Sequence, residues 1–119
     1  MKLRIAIVFT LTLLITSVFA QEKSKYKTET SIHYYSKDIM GGDKYMQEMC
    51  VIDFYYPINV ENFPTIVWFH GGGLTGGKRE IPKYLKNKGV AVVGVEYRLS
   101  PNVKSTECIK DAAAATSWA

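Results

Sequence analysis

The chain is poor in metal-binding residues. It has two cysteines, Cys50 and Cys108, and two histidines, His33 and His70, spaced too widely to make a zinc or transition-metal ligand set. No metal and no other cofactor is expected. A large surplus of either charge is also lacking: 15 basic residues stand against 11 acidic ones, which argues against a dedicated nucleic-acid binder. Internal repeats, low-complexity tracts and domain linkers are absent from the pattern. Long hydrophobic runs are missing too, since the longest, Ile5 to Phe19, has 15 residues, short of the roughly 20 that cross a bilayer. What is there is a chain of 119 residues with 47% hydrophobic and 13% aromatic content, enough for one small core at the low end of domain sizes.

The short apolar run has another use. Lys2 and Arg4 precede it, and Val18-Phe19-Ala20 closes it with small residues at the positions a signal peptidase reads. Residues 1–20 are therefore expected to be a signal peptide. Residues 21–29, polar and Lys/Glu-rich, are expected to be a flexible lead-in, and residues 30–119 the folded part. An uncleaved membrane anchor is the alternative, and its weakness is its length. Cleavage removes Lys2 and Arg4, leaving 13 basic residues against 11 acidic ones in an exported protein with no lasting membrane span. Export permits a disulfide between Cys50 and Cys108. Both lie in apolar stretches, however, so two buried free thiols are the plainer reading.

Hydrophobic period organises the rest. Thr30 to Tyr35 and Met49 to Tyr56 alternate as strands around a Gly41-Gly42-Asp43 turn, with Pro57 stopping the second. They read as an antiparallel pair. Ile66 to Phe69 is a β-branched and aromatic run too short for a helix, the pattern of a strand buried on both faces. Glu80 to Lys88 puts Ile81, Tyr84 and Leu85 on one helical face, with Pro82 suited to its first turn and Gly89 to its stop. Val90 to Leu99 begins as another buried strand, giving a βαβ unit with parallel strands. Thr106 to Ala119 then reads as a second helix, its four alanines from Ala112 allowing close packing on a sheet. The fold class is α/β.

The chemistry concentrates where the central strand ends. His70 is followed at once by Gly71, Gly72 and Gly73, residues that can take positive φ and leave their amides uncovered by side chains. Bare N–H groups at a strand end can hold an anion, either a phosphate or the oxygen that turns negative when an ester carbonyl is attacked. Gly72, Gly77 and Lys78 fit G-x-x-x-x-G-K, but Arg79 stands where a phosphate loop needs Ser or Thr for magnesium. Gly71, Gly73 and Gly76 have the spacing of a dinucleotide fingerprint, and Glu96 lies 20 residues on, yet no helix opens at those glycines.

His-Gly-Gly-Gly at a strand end, Leu74-Thr75-Gly76-Gly77 directly after it, Tyr97-Arg98-Leu99-Ser100-Pro101 after the next strand, and Asp111-Ala112-Ala113-Ala114-Ala115 leading to Trp118 together make a pattern. Over roughly residues 45–119 the sequence resembles the α/β-hydrolase superfamily, in particular hormone-sensitive-lipase-like esterases and acetylxylan or feruloyl esterase-type domains. The resemblance implies the N-terminal portion of an α/β-hydrolase fold. It gives Gly72 and Gly73 the oxyanion-hole amides, each worth on the order of 3 kcal/mol in the transition state, and makes Gly71 the turn and His70 a loop support. The proton-transferring histidine of that fold comes last in chain order. Arg98 is expected to pin its strand through a carboxylate such as Asp111, and Trp68 and Trp118 to pack rather than bind substrate. Glu96 could join a buried ion pair or line the cleft.

The nucleophile is missing. None of the seven serines, Ser17, Ser24, Ser31, Ser36, Ser100, Ser105 and Ser117, has the flanking glycines of G-x-S-x-G, and no histidine follows His70. A triad would lie beyond Ala119. The simplest reading is the oxyanion-loop half of an exported serine esterase that cleaves short-chain or polysaccharide-linked esters, inactive alone. The alternative is a non-catalytic hydrolase-fold binding protein or a decayed gene product. A parallel sheet needs cover on both faces, so the 99-residue segment left after signal cleavage is expected to be poorly stable when isolated. Urea unfolding of that segment checks this, and a sharp two-state transition from a monomer would contradict it.

Overall fold

The computed structural model describes residues 24–119; the expected signal peptide, 1–20, lies outside the described residues. Four strands form one mixed sheet in the order β1-β2-β4-β3. They are β1 (Tyr26–His33), β2 (Val51–Pro57), β3 (Thr65–Phe69) and β4 (Ala91–Val95). The expected antiparallel pair is β1 with β2, β2 continues antiparallel to β4, and β3 runs parallel to β4 with Trp68 opposite Gly94. The sequence-predicted βαβ direction is therefore present.

β1 starts four residues before Thr30, so the lead-in expected over 21–29 gives way to strand from Tyr26. Its polar composition hid it. This is an edge strand facing water, and its order comes from β2: Tyr26 stacks on Tyr55 with ring centroids 4.6 Å apart, and the Tyr56 hydroxyl donates to Glu29 at 2.7 Å. The register slips between Glu29 and Ile32, where Ser31 takes a positive φ of 57°. Its amide donates to Asp53 Oδ1 at 3.0 Å, a bulge that compensates part of the lost ladder.

Two short helices stand where only a turn and a strand start were expected: α1 (Lys37–Met40) and α2 (Lys44–Met49). Their caps are legible in retrospect. Ser36 and Asp43 each accept from the amide three residues on, Ile39 and Met46. Met40 and Met46 are thereby turned into the core.

β3 departs from its expected double burial. It lies at the sheet edge, and its residues are exposed or half-buried, Phe69 at 37%. Val67 faces the core while Trp68 meets Tyr84 edge-on at 6.0 Å. Among the described residues nothing pairs with its outer edge.

The helix expected over Glu80–Lys88 is only a 3-10 turn, Lys83–Leu85. Both ends of the segment are spoken for. The Arg79 amide donates to Glu96 Oε2 at 3.1 Å, and the Glu80 carbonyl lies against the Cα of Gly94 so closely that a Cβ there would collide with it. At the other end Asn87 takes φ 59°, accepting from the Tyr55 hydroxyl at 3.0 Å. Too few residues remain between for two helical turns.

α3 (Ser105–Trp118) follows the expected second helix closely. It presses Cys108, Asp111 and Ala115 onto the sheet against Ile52, Val93 and Val95, and Trp118 meets Phe54 edge-on at 5.7 Å. Both thiols are free and buried, and burial pushes the Cys50 thiol up to about 12. Asp111, fully buried, receives Arg98 Nε at 2.8 Å and Nη2 at 2.7 Å, the Arg98 amide at 3.1 Å and the Tyr35 hydroxyl at 3.0 Å. The expected Arg98–carboxylate pin is this pair. The Asp111 hydrogen bond holds the guanidinium even more firmly protonated than usual. Removing one partner of such a pair strands the other charge without water, so Asp111→Ala is expected to cost about 3–5 kcal/mol. Urea unfolding of the full-length protein followed by tryptophan fluorescence measures it.

Candidate active site

Phe69 ends β3, and the chain leaves through His70, which is buried with 7% exposure. Its ring stacks on Tyr97, centroids 4.5 Å apart and planes 11° from parallel, and the Tyr97 hydroxyl donates to the His70 carbonyl at 2.9 Å. Burial, with Glu96 beside it, raises the Tyr97 phenol above its ordinary range, so the phenol stays a donor. Each imidazole nitrogen meets an acceptor. Nε2 lies 2.8 Å from Glu96 Oε1, and Nδ1 lies 2.8 Å from the Gly71 carbonyl.

Glu96 is only 5% exposed and is held on both oxygens. Besides His70 it accepts the Arg79 amide, and the Arg79 guanidinium lies 3.9 Å from Oε2. That guanidinium reaches on to Asp53 Oδ1 at 2.9 Å and the Ser31 hydroxyl at 2.9 Å. A chain of ionic contacts thus runs from the glycine loop back to the bulge of β1. Of the two readings left open for Glu96, the structure gives the buried ion pair. Arg79 carried no sequence signal beyond spoiling a phosphate-loop match.

The loop itself is a tight reversal. Gly72 and Gly73 take φ of 127° and 61°, and Leu74, though not glycine, takes 62°. The Gly72 carbonyl accepts from the Thr75 amide at 3.1 Å and the Thr75 hydroxyl at 3.2 Å, and the Leu74 carbonyl accepts from the Ser100 amide at 2.8 Å. A Cβ at Gly72 would collide with the Gly76 carbonyl, and one at Gly77 with the Gly71 carbonyl and the His70 ring. Among the described residues neither the Gly72 nor the Gly73 N–H donates to any acceptor. No helix opens after the glycines; residues 77–82 are irregular, so neither nucleotide-loop spacing has its structural setting. Beside the loop, Phe69, Leu74, Tyr97, Cys108, Ile109 and Ala112 line an apolar cavity of about 150 Å³. His33 lies away from this centre, against the Gln47 carbonyl at 2.8 Å.

A mixed sheet with a parallel crossover, a histidine-led glycine turn at the end of the third strand and a helix packed back on the sheet is the α/β-hydrolase fold of esterase type. The chain belongs to the BD-FAE family, whose model matches residues 52–119. Among solved structures it is similar to Esterase B from Lactobacillus rhamnosis (HN001), at 28% identity and TM-score 0.63, over 95% of this chain and 36% of that one. A form of Esterase B inhibited by a C4-C4 SN3 tributyrin phosphonate matches at 28% identity and TM-score 0.62, over 95% of this chain and 37% of that one. The chain spans little more than a third of the length of these structures.

Because a Cβ at Gly77 would collide with both the Gly71 carbonyl and the His70 ring, Gly77→Ala is expected to break the His70–Gly71 contact and displace the loop. The ring nitrogen resonances of His70 in a ¹⁵N spectrum report this directly. Unchanged resonances would mean the close approach is not required.

Proposed function

We propose that this chain is the oxyanion-loop portion of an exported serine carboxylesterase acting on short-chain or polysaccharide-linked esters. The observation that carries the reading is the pair of free amides, Gly72 and Gly73, at the C-terminal end of a strand, on a loop whose Gly71, Gly72 and Leu74 carbonyls are each held by a partner. When a serine attacks an ester carbonyl, the carbonyl oxygen gains a full negative charge. Two fixed N–H donors stabilise that charge without reorganising, and the apolar cavity beside Phe69 and Leu74 leaves room for a small acyl group. The likeness to Esterase B, studied with a tributyrin phosphonate, supports short acyl chains.

The nucleophile and its base are supplied by a segment outside this sequence, since no serine here has an elbow and no histidine follows His70. His70 is a support and not the base. Both of its ring nitrogens are occupied within the fold, and its ring is buried under Tyr97. Export rests on the N-terminal charge and apolar pattern alone. Among the described residues no helix is long and apolar enough to cross a membrane.

The test is chemical. The full-length protein is expected to hydrolyse p-nitrophenyl acetate and to take one fluorophosphonate label, while the 119-residue chain does neither. Absence of both turnover and label from the full-length protein would overturn the esterase reading in favour of a non-catalytic binding protein.

A further inference from the structure

We infer that Thr75 is a positioning residue that aims the Gly73 amide, a second clamp beside the His70 support that stands behind the Gly72 amide. The inference rests on the oxyanion reading above and adds which side chain sets the direction of the Gly73 donor.

The reason is the planarity of the peptide bond. In a trans peptide the C=O of one residue and the N–H of the next point in opposite directions, so whatever holds the carbonyl aims the following amide. The carbonyl of Gly71 is held by His70 Nδ1 at 2.8 Å, and this turns the Gly72 N–H away from the ring. The carbonyl of Gly72 is held by the Thr75 amide and hydroxyl at 3.1 and 3.2 Å, and this turns the Gly73 N–H away from Thr75. Neither of these peptides is cis.

Glycine makes the clamps necessary. Without a Cβ, the peptide planes on either side of Gly72 and Gly73 can rotate through most of φ/ψ space, so glycines alone give access to the site but no direction. The direction must come from the carbonyl side. For Gly72 it comes from a ring that cannot turn: stacked on Tyr97 and tied to Glu96 at 2.8 Å, with Glu96 held in turn by the Arg79 amide. For Gly73 it comes from a hydroxyl on an exposed side chain, where water competes and geometry alone gives the advantage.

Thr75 provides the clean test because its side chain is exposed and can be changed without opening the core. In the full-length protein, Thr75→Val keeps the shape and removes the hydroxyl. It is expected to lower kcat on p-nitrophenyl acetate about five- to twentyfold, less than outright loss of a donor because the Thr75 amide still holds the carbonyl. KM and melting temperature should stay unchanged, and Thr75→Ser should restore kcat. The inhibition constant of a trifluoromethyl ketone, whose adduct places a negative oxygen at the same point, should rise by the same factor. A residue that only braces the fold would instead lower the melting temperature and leave the match between kcat and ketone affinity unmet.

Wild-type turnover with Thr75→Val within twofold of it would overturn the inference while leaving the esterase reading intact. A wild type with neither turnover nor fluorophosphonate label would overturn the parent reading and this one with it.

Discussion

Glu96 carries the site. A carboxylate taken out of water loses several kcal/mol of solvation unless both oxygens are met by donors of good geometry. Here one oxygen takes the His70 ring and the other the Arg79 amide, with the Arg79 guanidinium nearby. Those contacts meet the cost, and they also decide where three pieces of chain must lie: the exit of β3, the exit of β4, and the irregular approach to the 3-10 turn. Asp111 plays the corresponding part below the sheet, binding the Arg98 side chain and amide and Tyr35 into one cluster under α3. Two buried carboxylates thus divide the labour, one fixing the glycine loop and one fixing the helix. Since β4 continues directly into Glu96, Tyr97 and Arg98, a single strand exit feeds both.

Much of this was legible in the residues, for reasons that differ by element. β2, β4 and α3 announce themselves because their apolar residues have one period and one place to go. The Arg98–Asp111 pair could be anticipated because a charge in a buried setting must find an opposite one within reach. β1 could not be bounded, since an edge strand may be polar on its open side, and its anchor, the Tyr26–Tyr55 stack, is a contact made across many residues of sequence. The crossover misled because Ile81, Tyr84 and Leu85 have helical spacing, while what decides the segment is tertiary. Arg79 is held by Glu96, Glu80 is wedged at Gly94, and Asn87 is held by Tyr55. Local propensity is worth a few tenths of a kcal/mol per residue, and several long-range contacts outweigh it. At the candidate site the glycines and His70 were visible as a string of letters. Their bracing was not, because Arg79 and Thr75 are ordinary surface residues in sequence and acquire roles only through what they touch.

The glycines in this region do two physically distinct jobs, and only one of them concerns conformation. Gly73 takes a left-handed φ with open space around its Cα, so a Cβ there would be disfavoured by torsion and not by contact. Gly94 lies in a regular strand, yet the Glu80 carbonyl occupies the place of its missing side chain. Gly72 and Gly77 combine both demands. Leu74 shows the converse. It adopts a left-handed conformation despite its side chain, at a cost of about 1 kcal/mol or more, and the Ser100 hydrogen bond to its carbonyl is what offsets that cost. Ser100 follows β4 just as the loop follows β3, so the parallel pairing of these two strands sets the distance over which this bond must reach.

That coupling explains why the loop can be both glycine-rich and rigid. A run of glycines free in water would sample many orientations, and fixing each backbone unit costs on the order of 1–2 kcal/mol. The fold meets this cost before any ligand arrives, by seating the Gly71, Gly72 and Leu74 carbonyls on His70, Thr75 and Ser100. With those acceptors satisfied, the amides of Gly72 and Gly73 remain as donors without partners among the described residues. An unpaired donor is costly only where water is excluded, and these two lie at an exposed loop that water can reach. The penalty therefore falls due only when a ligand covers them, and an acceptor carrying full negative charge is the ligand that best repays it.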